Sequence, residues 1–124
     1  MEHVVQKQFG EGITLFGYTI STAPLTIELV WTTTAEIDED LHVFVHLVDE
    51  NGGIVAQADG QPAGWTRPTT GWAPGEYIVD RHALDVADDM NVQNYTLYIG
   101  LYDPQTGERL AVEGADFTRV PVGG

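Results

Sequence analysis

The chain has 124 residues, enough for one domain with its own hydrophobic core, and 43% of them are hydrophobic. Nineteen acids against five lysines and arginines leave a net charge of −14, which repels phosphate backbones and anionic lipid heads and disfavours nucleic-acid and membrane-surface partners. The absence of cysteine excludes disulfides and Cys-based zinc sites, and no apolar run reaches the length of a membrane span.

In chain order, MEHVVQKQ lacks the pattern of a signal peptide and reads as an N-terminal tail over residues 1–8. A single domain is expected over residues 9–122. The first strand is expected at Ile13–Ile20. In LTIELVW, Leu25, Ile27, Leu29 and Trp31 alternate with Thr26, Glu28 and Val30, the period of a half-buried strand. LHVFVHLVD is apolar on both faces, with Leu41, Val43, Val45 and Leu47 opposed to Phe44 and Val48, as a central covered strand requires. Further strands are expected at Ile54–Ala58, Glu76–Leu84, Tyr95–Asp103, Arg109–Val112 and Asp116–Val122. Asn51-Gly52 marks a hairpin, and Pro74-Gly75 a type II turn in which Gly75 supplies the positive φ. Thr34–Leu41 and Leu84–Met90 have room for one helical turn each. Roughly eight short strands punctuated by turns predict an all-β chain, a single antiparallel β-sandwich of immunoglobulin-like or jelly-roll-like order.

Few residues announce chemistry. His42 and His46 have the four-residue spacing of zinc ligands on a helix, but on a strand that spacing spans about 13 Å, so a structural role is expected. Ser21 is the sole serine and has no nucleophile motif around it, and no cofactor motif is present; the chain reads as non-enzymatic. Asp49, Asn51 and Asp59 flank the hairpin, and Asp85, Asp88 and Asp89 crowd a later loop. Such oxygen-rich loops suit calcium, yet DENGG lacks the full ligand ladder, so calcium remains the weaker alternative.

Trp31 continues the inward row of its strand. Trp65 and Trp72 stand in loops instead, where flat rings offer platforms for sugar faces. With Asp59, Gln61 and Arg67 they form the candidate ligand set, all within one inter-strand loop. For Trp72 the competing role is to close the sandwich over the Pro74-Gly75 corner. Asp80 and His82 share a strand face with Ile78 and Leu84, and an acid there needs a cation or several donors. His46 and Arg109 are the expected suppliers, forming a structural polar clasp with Asp80.

The segments ITLFGYTI, LTIELVWTTTAEIDEDLHVFVHLVDENGGIVAQADGQP, PTTGWAPGEYIVDRHAL and YTLYIGLYDPQTGERLAV resemble a β-sandwich module of bacterial, Chloroflexi-type envelope proteins. The resemblance covers roughly residues 9–120, through Gly17-Tyr18, Trp31, Phe44-Val45-His46-Leu47, Pro68-Thr69-Thr70, Trp72, Pro74-Gly75-Glu76 and Gly100-Leu101-Tyr102-Asp103. In that family the module often follows the membrane region of dolichyl-phosphate-mannose-type glycosyltransferase-like proteins, a region this sequence lacks. The resemblance implies an accessory domain outside the cytoplasm, part of a larger protein, with a glycan or another envelope protein as partner. A calcium-dependent adhesion or protein-interaction module is the alternative.

Overall fold

The computed structural model describes residues 3–10, 12–22, 24–87 and 90–123, the side chains of Gly64 and Trp65 excepted. Its strands are β1 (His3–Phe9), β2 (Ile13–Thr22), β3 (Leu25–Thr33), β4 (His42–Val48), β5 (Ile54–Gly60), β6 (Tyr77–Ala83), β7 (Thr96–Tyr102) and β8 (Thr118–Pro121). A single helical turn, α1 (Pro62–Trp65), and a 3-10 turn at Thr69–Gly71 lie between β5 and β6. Every pairing is antiparallel, in two four-stranded sheets ordered β1-β2-β3-β6 and β5-β4-β7-β8. With β1 set aside, β2-β3-β6 against β5-β4-β7-β8 is the strand order of an immunoglobulin-like Greek key.

The period of two in the sequence becomes the two walls of one core. Leu25, Ile27, Leu29 and Trp31 of β3 face Val43, Val45 and Leu47 of β4 and Leu97, Ile99 and Leu101 of β7, all essentially inaccessible to water. On β2 the alternation slips. Leu15 pairs with Trp31 but Gly17 with Val30, leaving Phe16 as a bulge residue. The extra residue resets the parity, so Ile13 and Leu15 before it and Tyr18 after it all point inward.

Several expected elements differ. Residues 3–8, expected as a tail, belong to β1. The alternation there is hidden because β1 is an edge strand with a register break between Val4 and Lys7, Gln6 at φ +51°, and only Phe9 fully buried. The 34–41 segment is irregular rather than helical: it crosses between the sheets, and Thr33 caps its start by accepting the Ala35 N–H at 3.2 Å. Residues 84–87 also lack a helical turn, Asp88 and Asp89 lying outside the described residues. Arg109–Val112 forms no strand because it changes partners within two residues. Leu110 N–H donates to the Leu101 carbonyl at 2.9 Å, whereas the Ala111 carbonyl accepts from Gly10 N–H at 2.8 Å on the other sheet. The segment staples the two sheets together.

The hairpin at Asn51-Gly52 forms with a different geometry from a two-residue loop. Gly52 N–H reaches the Asp49 carbonyl at 3.1 Å and Asp49 N–H the Gly53 carbonyl at 2.8 Å, with Gly52 at φ +87°. This is a three-residue loop, a turn followed by one left-handed glycine. The Pro74-Gly75 corner forms as expected, with Gly75 at φ +85° and Glu76 N–H on the Ala73 carbonyl at 3.0 Å.

Candidate functional site

The loop between β5 and β6 directs its polar groups into the fold. Trp72 is 2% exposed, its ring 6.5 Å from that of Trp31, and its indole N–H donates to the Arg67 carbonyl at 3.0 Å. It closes the sandwich and presents no open face. Arg67 bonds Glu76 at 2.6 Å and Gln61 donates to Asp40 at 2.8 Å. The Thr69 hydroxyl donates to the Glu39 carbonyl and accepts from Leu41 N–H, tying this loop to the crossing before β4. Asp59 stands apart on β5, cross-strand from Phe44. The Trp65 ring is outside the described side chains. Of the expected ligand set, then, Trp72, Gln61 and Arg67 already have internal partners, and Asp59 belongs to another surface.

The expected clasp of Asp80 with His46 and Arg109 does not form, because those residues lie on the outer face of the opposite sheet. Asp80 is fully buried, and its carboxylate accepts from the Trp31 indole N–H at 3.0 Å and the Ala63 backbone N–H at 2.7 Å. His82, two residues along the same strand face, places Nε2 2.7 Å from the same carboxylate. One buried acid thus joins β3, β6 and the helical turn. Its donors are groups that strand alternation on β3 and β6 had already turned inward.

The calcium set does not assemble either. Asp49 Oδ1 accepts the backbone N–H of Asn51 at 2.9 Å and of Gly53 at 2.8 Å, so this carboxylate shapes the hairpin. Asp59 lies near the far end of β4 from that turn, and no group of three or more His, Asp or Glu able to hold a metal occurs among the described residues.

What the fold does bring together is an aromatic and cationic surface on the outer face of the β5-β4-β7-β8 sheet. Strand register places Tyr98 between His46 and Arg119, Phe44 beside Gly100 and Asp59, and His42 beside Tyr102. Phe44 lies over Gly100, where any Cβ would collide with its ring, so glycine is required for the ring to lie flat. The Arg109 guanidinium covers the ring 4.3 Å from its centroid, which explains why an outward-facing phenylalanine is only 2% exposed. Arg109 also approaches Asp116 at 3.5 Å. Phe117 stacks on Tyr98 at 4.3 Å, and Arg119 sits 5.4 Å from both rings. His46 Nε2 lies 3.6 Å from Asp59, beyond hydrogen-bond range.

The electrostatics of this face follow from partial burial. Desolvation pushes the His46 pKa below the ordinary 6.5, helped by Arg109 and opposed by Asp59. Desolvation and then the Asp59 charge raise the Tyr102 phenol above 10.0. At neutral pH the surface offers the neutral His46 imidazole and the neutral Tyr102 phenol beside two guanidiniums. Such a set can stack on an apolar ring face and donate hydrogen bonds at its rim.

Tyr98, Phe117 and Arg119 were not singled out from the sequence, and Tyr102 entered only through the resemblance. The alternation of YTLYIGLYD does put Tyr98, Gly100 and Tyr102 on one face, which was the available signal. What sequence could not supply was that β4 and β7 are neighbours, and that Arg109, Asp116 and Phe117 fold back over their outer side. The chain matches no protein-family model and no curated protein sequence.

Proposed function

We propose that this chain is a non-catalytic saccharide-binding domain whose ligand lies on the outer face of the β5-β4-β7-β8 sheet. One observation carries the reading: a strip of half-buried rings (Tyr102, His46, Tyr98, Phe117), with Phe44 beneath Arg109 as their support, interleaved with two of the four arginines of a strongly acidic chain. Aromatic rings pack on the C–H faces of sugars, and guanidinium, carboxylate and imidazole groups beside them select hydroxyls. A sheet face is also a rigid mount, which holds such groups more accurately than a loop does.

The resemblance to bacterial envelope modules supports an accessory role outside the cytoplasm, as part of a larger protein. No described helix is long and apolar enough to cross a membrane. Titration of labelled protein with a broad saccharide panel tests the reading. Shifts should concentrate at Tyr98, Tyr102, Phe117 and Arg119, and Tyr98→Ala should weaken binding by about tenfold. Trp65→Ala serves as the loop control. Shifts confined to residues 59–72, or appearing only when calcium is added, would refute the outer-face site.

A further inference from the structure

Arg119 differs from the other cations of the chain. Lys7, Arg67, Arg81 and Arg109 are each within salt-bridge distance of a carboxylate, on Glu113, Glu76, Glu28 and Asp116 respectively. Among the described residues Arg119 has no ion-pair partner, in a chain with 19 acids. Its guanidinium stands instead against the paired rings of Tyr98 and Phe117. It lines a hollow of about 540 Å³ with Tyr98, Thr96, Asn94, Asp49 and Glu50, a volume within the roughly 300–1,000 Å³ of small-molecule sites.

We infer that this hollow takes a carboxylate-bearing sugar unit, a uronic acid, with Arg119 as the carboxylate receptor and Tyr98 beneath the pyranose ring. The inference rests on the saccharide-binding reading and narrows it to a ligand class. The guanidinium is a planar fork that matches a carboxylate with two parallel N–H···O bonds, and contact with the stacked Tyr98–Phe117 pair limits the orientations it samples. Asn94 and Thr96 supply neutral donors and acceptors for hydroxyls at the same rim. Asp49 and Glu50, which line the same hollow, set the charge limit. A singly charged carboxylate aimed at Arg119 can stay clear of them, whereas a dianionic phosphate would meet more repulsion. Asp49 is moreover half-committed, one oxygen holding two backbone N–H groups of the hairpin.

The net charge of −14 opposes approach of any polyanion at long range, but this field is screened beyond about 8 Å at physiological salt. A short uronate oligosaccharide, or a single uronate in a neutral chain, is therefore the matched ligand rather than a dense polyuronate.

The test compares trisaccharides of glucuronate and galacturonate with their methyl esters, which keep the sugar ring and remove the charge. Binding is measured by calorimetry in 150 mM salt. The free acids should bind about tenfold or more tightly than the esters. Arg119→Gln should abolish that preference, weakening the acid by about tenfold or more and the ester by clearly less, and Arg119→Lys should restore only part of it. Tyr98→Ala should weaken acid and ester alike. Equal affinity for acid and ester, or an unchanged preference in Arg119→Gln, would overturn the uronate inference and leave saccharide binding standing. Failure of acids, esters and the broader neutral panel together would overturn both.

Discussion

Asp80 is the residue on which most of the interior polar chemistry depends. Its carboxylate receives the Trp31 indole, the Ala63 backbone N–H and the His82 imidazole, and no buried side-chain polar atom lacks a partner among the described residues. Removing the acid leaves these groups unpaired where water cannot reach them. Asp80→Ala should lower stability by about 1–3 kcal/mol in urea unfolding, with the m-value retained. A loss under about 0.5 kcal/mol would mean that the network is incidental. Ala63 adds a local sign of the same constraint. It is held at φ +56°, a conformation that costs a non-glycine residue about 1–2 kcal/mol, while its N–H points at Asp80.

At the scale of elements, the edges of the sheets deserve comparison with the centre. The central strand β3 carries the regular alternation and β4 is largely buried on both faces, whereas β1 covers β2 with a broken register and mostly exposed side chains. Breaks and a lysine on an edge are devices that discourage further pairing. Deleting residues 1–8 uncovers the hydrogen-bonding edge of β2, a long strand without a lysine. That truncation should cost at least about 2 kcal/mol of stability, from lost ladder bonds and the apolar contact of Val5. It should also give concentration-dependent association in analytical ultracentrifugation. A monomeric truncation as stable as the parent would assign β1 a role other than edge protection. The Lys7–Glu113 ion pair at 3.0 Å adds little to that sum, being exposed.

For the molecule as a whole, acid should reveal two separate losses of stability. The native pKa of His46 lies below 6.5, so the unfolded chain binds that proton more readily. Stability is therefore complete above about pH 6.5 and declines as the pH falls from there toward the native value. Glu76 has a native pKa held below 4.5, chiefly by its hydrogen bond from Arg67 and then by the Ala73 backbone N–H. Its contribution is present above pH 4.5 and disappears as the pH falls through the native value. Thermal melts from pH 8 to pH 3 should show both declines, and His46→Gln should flatten only the upper one. A parent profile that is flat between pH 7 and pH 5 would contradict the assignment to His46.

The sandwich itself was legible because alternation of apolar and polar residues is a local property that survives in any antiparallel sheet with one dry face. LTIELVW and YTLYIGLYD place their core rows unambiguously, and the glycine-bearing turn at Pro74-Gly75 follows from backbone sterics at a single residue. The exceptions share a cause. β1, the bulge at Phe16 and the staple at 109–111 take their conformation from a neighbour rather than from their own pattern. The same holds for the side chains with chemistry. Sequence placed Asp80 on a buried face and showed that it needed donors, but Trp31 and His82 became those donors only through the pairing of β3 with β6. The Tyr98–Phe117–Arg119 surface exists only because β4, β7 and β8 are adjacent and Phe117 folds back onto Tyr98. Hydrophobic periodicity determines which way a side chain points; only the tertiary fold decides what it meets there.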